Sequence, residues 1–257
     1  MIKDEGVILI PQWHLGSGPI PSEHPPQEAN QLAIYTQLST WVEGHTIDSL
    51  LAEGCEGPIE NQTSVKINGW SVDDLTGELS QKHNIDSLLA PIAYKIKAKY
   101  KNNLVVACGD REQLIHDNLL ALSNLRGFAG FKMRLEDPQL SPQDRESYLN
   151  KAAEVLRLPR DSSLKFVLEN LNSEISKSLD QFENLLQQRN DNFVLQLEQL
   201  KGIKVLVIGA LHLHGLEAQL TKKKIPYSIW TPIGLEDQEN RLIEQLKSKL
   251  LKTKSHI

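Results

Sequence analysis

The chain is poor in the residue types that mark several classes of protein. Its 257 residues include two cysteines, and aromatic side chains make up 5% of the composition. Two cysteines cannot form the disulfide framework of a small secreted domain. Cys55 and Cys108 both lie just past predicted strands and could be near each other, but we expect them to be reduced and to pack like small apolar residues. The longest apolar runs, such as Val205 to Leu211, are far shorter than the roughly 20 residues that cross a bilayer. The sequence therefore predicts neither a disulfide scaffold nor a membrane span.

An excess of positive charge is also missing. The chain has 28 basic and 33 acidic residues, which gives a formal net charge of −5. Because proteins that bind nucleic acid normally present a concentrated basic surface, we expect no nucleic-acid partner. No export signal precedes Val7. The sequence as it stands therefore predicts a cytoplasmic protein, and an exported one if such a segment has been removed.

Short apolar segments predict the strands of an α/β fold. Continuous Val, Ile and Leu runs without polar alternation are typical of parallel strands that helices cover on both faces. Four segments have this character and are flanked by turn residues: Val7 to Ile10, Ser49 to Ala52, Leu104 to Ala107 and Val205 to Ile208. A fifth strand is predicted at Tyr227 to Trp230. Helical spacing within Glu28 to Glu43 completes a βαβ unit. We therefore predict a mainly parallel central sheet flanked by helices.

The middle of the chain is predicted to be helical. One helix is expected from Arg111 to Leu125, and Ser141 followed by Pro142 predicts the start of another that ends near Leu156. Apolar residues recur at helical spacing from Leu164 to Leu200, which indicates one long amphipathic helix or two in series. We interpret residues 1–257 as a single α/β domain in which residues from about 126 to 199 form a helical insertion or lid. A further helix is expected near the C-terminus, from Leu242 to Leu250.

Titratable side chains lie just beyond the predicted strands. His14 follows the first strand, Glu53 the second, and His212 the fourth. Ligands of open parallel sheets bind at the carboxyl ends of the strands. Two imidazoles and one carboxylate can hold Zn, Mn, Co or Fe with an open coordination position, which suits metal-assisted hydrolysis. The alternative is that each histidine only terminates its strand and hydrogen-bonds the backbone.

Further polar residues are candidates for the same site. Asp110 and Arg111 follow the third strand, where they could orient a substrate or hold the loop. His214 is a second candidate after His212, because its ring would point to the opposite face if the chain is still extended there. His24, His45, His83, His116 and His256 are expected to be solvated.

Arg189 occupies the apolar face of its predicted helix. Leu185 and Phe193 lie four residues to either side of it, so the arginine should face the core and need an acidic partner. Asp110 or Glu53 could supply that carboxylate. The pair would be either a buried structural ion pair or a clamp for a substrate or transition state, and the adjacent Asn190 could donate to an oxyanion.

Two motifs resemble a known family. The stretch LLQQRN from Leu185 to Asn190, followed by VLVIGALHLHGLE from Val205 to Glu217, resembles the TraB/Tiki-like proteins. These belong to a broader superfamily with erythromycin-esterase-like and haem-uptake ChaN-like proteins. The order of strand-histidine, strand-glutamate, Gly-Asp-Arg, Arg-Asn and Gly-x-x-His is similar from Val7 to about Pro232.

The resemblance implies roles for individual residues. In the Tiki branch the corresponding residues are considered metal ligands of a peptidase, which implies that role for His14, Glu53 and His212, with Arg189 and Asn190 in the site. This chain departs from the family's usual first motif, Gly-x-x-His, because it has Pro-Gln-Trp before His14. We therefore predict a divalent-metal-dependent hydrolase of a peptide or related amide. The alternative is a non-catalytic protein that binds a peptide signal or a haem-like ligand in the same pocket.

Overall fold

A computed structural model of the chain describes residues 5–12, 25–54, 56–58, 92–100 and 103–233. The strands in these ranges are β1 (Gly6–Gln12), β2 (Ser49–Ala52), β3 (Glu56–Pro58), β4 (Val105–Gly109), β5 (Ile203–Gly209) and β6 (Tyr227–Ile229). The helices are α1 (Pro25–Glu43), α2 (Ile92–Tyr100), α3 (Glu112–Leu135), α4 (Pro142–Val155), α5 (Leu164–Gln199) and α6 (Leu213–Lys223), with a 3₁₀ turn at Ala210–His212. His14, Cys55 and the expected C-terminal helix lie outside the described residues.

All six strands belong to one sheet, in the order β3-β4-β2-β5-β1-β6. The pairs β1 with β5, β1 with β6, β2 with β4, and β2 with β5 are parallel. The short edge strand β3 runs antiparallel to β4. A mainly parallel sheet flanked by helices is thus confirmed. Strand β3 was not expected, because its sequence Glu-Gly-Pro carries no apolar signal.

Both faces of the sheet are buried, which explains the unbroken apolar runs. On one face, Ile10 and Leu50 pack with Leu38 of α1. On the other face, Leu9 and Leu206, among others, pack with Phe193 from the end of α5. Because successive side chains of a strand point to opposite faces, both sets must be apolar. Full burial of one such side chain contributes roughly 1.5–3 kcal/mol to folding.

The chain divides into two compact units. Among the described residues, the first comprises the chain up to Ile115 and again from Gln188, and it contains the sheet; the second runs from His116 to Gln187. The second unit has its own apolar core, whose buried members are Leu135, Ala152, Ala153, Val167 and Leu171. The interpretation of one domain with an insertion or lid stays a prediction.

Helix ends in the second unit show where local sequence signals suffice. Helix α4 begins as expected, with the Ser141 hydroxyl accepting a hydrogen bond from the Asp144 backbone N–H at 3.1 Å. Helix α3 continues to Leu135 and not to Leu125 as expected. Gly127 and Gly130 lower helix propensity beyond Leu125, but burial of Leu135 in the core of this unit stabilises the extension.

Cys108 corrects another expectation. It is buried in β4 and disulfide-bonded, so the prediction that it is reduced was wrong. The register of the unexpected strand gives a reason, since Gly57 of β3 pairs with Cys108 and the chain just after β2 therefore returns alongside β4.

In the described ranges, no helix combines the length and apolarity needed to span a bilayer.

Candidate functional site

Glu53 comes directly after β2, at the carboxyl edge of the sheet. Its Oε1 accepts a hydrogen bond from Nη2 of Arg189 at 2.7 Å, and its Oε2 accepts one from the backbone N–H of Gly209 at the end of β5. Strands β2 and β5 are neighbours. The carboxylate therefore bridges the ends of two adjacent strands and the helix α5.

Asp110 follows β4 on the other side of β2. Its Oδ2 lies 2.6 Å from Arg189 Nη2, and both carboxylate oxygens lie 3.1 Å from Nε. The backbone N–H groups of Gly54 and Arg111 donate to the same carboxylate at 3.3 and 3.2 Å. Gly54 has a φ of 85°, a conformation that favours glycine. This turn brings the chain that follows Glu53 against Asp110.

Arg189 binds both carboxylates from α5. The prediction that Asp110 or Glu53 would supply its acidic partner is confirmed, and both do so. Burial by itself lowers the pKa of Arg189, but the charges and hydrogen bonds of Glu53 and Asp110 outweigh it and raise the pKa overall. The guanidinium therefore stays cationic at any ordinary pH.

His212 lies in the 3₁₀ turn between β5 and α6. Its Nδ1 is 2.6 Å from Oδ1 of Asn190, and its Nε2 is 3.2 Å from Oε1 of Glu53. The Phe193 ring meets the imidazole edge to face, with ring centroids 5.3 Å apart and an interplanar angle of 89°. Hydrogen bonds and packing therefore fix the imidazole between α5 and the end of β2.

We call Glu53, Asp110, Arg189, Asn190 and His212 the strand-end cluster. Each is between 2% and 7% exposed. Its ionisable members are two carboxylates, one guanidinium and one imidazole, and the guanidinium pairs with both carboxylates. Because buried charges are costly unless they are paired, the cluster depends on the ion pairs that Arg189 makes with Glu53 and Asp110.

Two residues that sequence reasoning missed support the cluster. Asn192 donates from Nδ2 to the carbonyl of Gly109 at 2.7 Å. A Cβ on Gly109 would lie 2.6 Å from Phe193 Cδ1 and 2.7 Å from Leu51 Cδ2, so only glycine permits this approach of α5 to β4. The signal was present in the sequence, since Arg189, Asn190 and Asn192 place three polar residues beside the apolar Phe193.

Other predicted site residues do not join the cluster. The backbone N–H of Arg111 contacts Asp110, but the residue is exposed. His214 is exposed on α6 because the chain turns helical after Gly209, so the extended backbone considered for it is not formed. His14 lies outside the described residues; Gln12, two residues before it, pairs with Gly209.

The described residues contain part of the predicted ligand set. Within those ranges, no group of three His, Cys, Asp or Glu side chains could hold a metal ion by itself. Glu53 and His212 form a pair of suitable donors. The complete set of His14, Glu53 and His212 stays a prediction.

Comparison with known proteins does not identify a family. The chain matches no protein-family model, and the searches of curated proteins and solved structures gave no match. The resemblance to TraB/Tiki-like proteins thus rests on the motifs in the sequence and remains a hypothesis.

Proposed function

We propose that the chain is a divalent-metal-dependent hydrolase, peptidase-like or amidase-like, in which Glu53, His212 and His14 bind the metal. The observation that carries the proposal is the contact between Nε2 of His212 and Oε1 of Glu53, at a buried sheet edge where ligands of parallel α/β folds bind. The motifs shared with TraB/Tiki-like proteins support the same residues.

The donor pair fits such a cation. Imidazole nitrogen and carboxylate oxygen are ligands that Zn, Mn, Co and Fe accept. Two donors that each lie about 2.1 Å from one metal are separated by roughly 3 to 3.5 Å, and Nε2 of His212 lies 3.2 Å from Oε1 of Glu53. A cation bound there would polarise a substrate carbonyl and make water nucleophilic near neutral pH.

Residues of this chain would orient the reaction. Asp110 holds the guanidinium of Arg189 through both carboxylate oxygens, and Arg189 in turn fixes Oε1 of Glu53. Since its pKa is raised, Arg189 supplies a permanent positive charge beside the donor pair. That charge would stabilise negative charge that develops on a carbonyl oxygen.

One observation favours a second function, the binding of a peptide signal or a haem-like ligand without catalysis. All four carboxylate oxygens of Glu53 and Asp110 already accept hydrogen bonds. Neither carboxylate is therefore placed as an unoccupied general base. A binding protein needs no such base.

Metal titration tests whether the chain binds a divalent metal at Glu53 and His212. Full-length protein is stripped with a chelator, dialysed and titrated with Mn²⁺, Co²⁺ or Zn²⁺ by calorimetry. We expect one equivalent to bind to the wild type and affinity to fall at least tenfold in Glu53→Gln and His212→Ala. His214→Ala is the matched control, because His214 is exposed two residues away, and it should bind like the wild type.

The outcomes separate the hypotheses. Absence of binding to the wild type, or an equal loss in His214→Ala, would contradict the metal proposal. Near-UV circular dichroism of each variant shows whether a loss reflects unfolding. Metal-loaded wild type that cleaves members of a peptide library supports the hydrolase, whereas loaded protein that is inert on the library, and shows a Soret band after haem addition, supports the binding function.

A further inference from the structure

A disulfide bond lies next to the strand-end cluster. Cys108 of β4 is disulfide-bonded, and the chain contains two cysteines, so its partner within the chain is Cys55. We propose that this bond is a redox-sensitive tie that keeps Glu53 and Asp110 in place for Arg189, and that its reduction by a dithiol opens the site. The consequence for metal binding rests on the proposed function. The effect on the two carboxylates does not, and can be measured in metal-free protein.

The positions of the two cysteines place the bond between the ends of β2 and β4. Glu53 lies two residues before Cys55 in the sequence. Asp110 lies two residues after Cys108. In the sheet, Cys108 is paired with Ala52, the last residue of β2. The bond therefore joins the two segments that carry the carboxylates of the cluster.

The non-covalent contacts of the turn after Glu53 are weak. The backbone N–H of Gly54 donates to Oδ2 of Asp110 at 3.3 Å. Oε2 of Glu56 accepts a hydrogen bond from the backbone N–H of Glu112 at 2.8 Å, at an exposed position. Strand β3 has three residues, and its sequence contains glycine and proline, which disfavour strands. Because such contacts add little stability, we expect the covalent bond to hold the turn against β4.

Exposed residues flank Cys55 in the sequence, so we expect a reductant to reach the bond from that side. Cys108 is 3% exposed, whereas Gly54 and Glu56 are exposed. A thiolate of the dithiol attacks the sulfur of Cys55, and Cys108 leaves as a thiolate and takes up a proton. The second thiol of the reductant then displaces Cys55. Two electrons and two protons enter the cysteine pair, and the dithiol is oxidised to its own disulfide.

Reduction should loosen the contacts that hold the cluster. Once the bond is broken, the N–H of Gly54 is no longer kept against Asp110. Glu53 is then free to turn away from Arg189 and from the N–H of Gly209. A displaced Glu53 is a poorer metal ligand. Groups that orient metal ligands typically change metal affinity by about 10- to 100-fold.

Amide exchange measured by NMR on the full-length, metal-free protein tests the proposal. The N–H of Gly209 donates to Glu53 and the N–H of Gly54 donates to Asp110, so the two signals report on the two carboxylates. We expect dithiothreitol to speed both exchange rates by about tenfold or more, because local opening governs exchange. Reoxidation with glutathione disulfide should restore the slow rates. The N–H of Asp144, at the start of α4 in the other unit, is the internal control and should not change.

The double variant Cys55→Ala/Cys108→Ala is the matched control. It lacks the bond and should show the fast rates with or without dithiothreitol. Unchanged exchange in fully reduced wild type would overturn the proposal. So would global unfolding on reduction, reported by the emission of Trp41 and Trp230, because the bond would then hold the whole fold together. A peptide map of the unreduced protein in which no peptide links the two cysteines would also overturn it.

Mn²⁺ titration gives the functional readout. Mn²⁺ is used because the free thiols of the reduced protein would bind softer metals themselves, and the reductant is removed without air before the titration. We expect the oxidised wild type to bind Mn²⁺ about 10- to 100-fold more tightly than the reduced protein or the double variant. Measurable but equal affinities would overturn the proposal. If exchange responds to reduction but the oxidised protein binds no metal, the redox control of the cluster stands and the proposed metal function fails.

Discussion

Replacing Arg189 by methionine tests whether the strand-end cluster is held together by charge. The substitution keeps much of the apolar length of the side chain and removes its cation. Glu53 and Asp110 would then lose the guanidinium that pairs with both of them. Arg189 makes four hydrogen bonds to these carboxylates. Removing one partner of a buried ion pair typically costs about 3–5 kcal/mol.

The matched variant is Asp110→Asn. It also breaks charge-assisted hydrogen bonds, but it leaves one carboxylate facing one guanidinium. We expect it to lower the free energy of unfolding by only about 1–3 kcal/mol, which is the usual cost of impairing buried hydrogen bonds. Which of the two variants loses more free energy of unfolding therefore depends on charge and not on the number of hydrogen bonds lost.

Urea unfolding followed by tryptophan fluorescence is a suitable assay. Trp41 and Trp230 contact each other in the unit that contains the sheet, with ring centroids 6.0 Å apart, so their emission reports on the unit that carries the cluster. The reasoning would be refuted if Arg189→Met lost less than about 1 kcal/mol, or if Asp110→Asn cost more than Arg189→Met.

Three further predictions concern single residues. Gly109→Ala should lower the free energy of unfolding by about 1–3 kcal/mol, since its methyl group would collide with Phe193; a neutral result in thermal unfolding would contradict the close packing. The hydrogen bond from Tyr100 and the charge of Lys99 lower the pKa of Glu43, so its stabilising effect should be present above the ordinary value of 4.5 and be lost as pH falls through the depressed pKa. Unfolding of wild type and Glu43→Gln should therefore differ slightly at neutral pH and converge in acid, and a difference that grows in acid would refute this sign. In denatured, unreduced protein, Cys108 should resist alkylation and become reactive after reduction; alkylation before reduction, read by peptide mass spectrometry, would show that it is a free thiol.

The sheet was predictable because each of its main strands has a local sequence pattern that indicates a buried strand. The runs around Val7, Leu50, Val106 and Val205 are apolar on both faces, and in the structure both faces are covered. Arg189 was predictable for a related reason, because a single charge on an apolar helix face must be paired. The prediction of the strands uses the two-residue repeat of a strand, and the prediction for Arg189 uses the helical repeat together with the free-energy cost of leaving a buried charge unpaired.

Other features depend on neighbours that are distant in the sequence. Strand β3 has no apolar pattern and exists through its pairing with β4. The disulfide bond of Cys108 was missed for the same reason, since it depends on a register that only the fold sets. Asn190 could be assigned to the site from its motif, but its contact with Nδ1 of His212 depends on where a 3₁₀ turn ends.

The most direct test of the account is a crystal structure of the protein grown with Mn²⁺ or Zn²⁺, using data collected at the absorption edge of the metal. The account predicts one anomalous peak within about 2.0–2.3 Å of both Nε2 of His212 and Oε1 of Glu53, with Arg189 still bound to Asp110. An anomalous map with no peak between these atoms, and with Glu53 still in contact with His212, would contradict it.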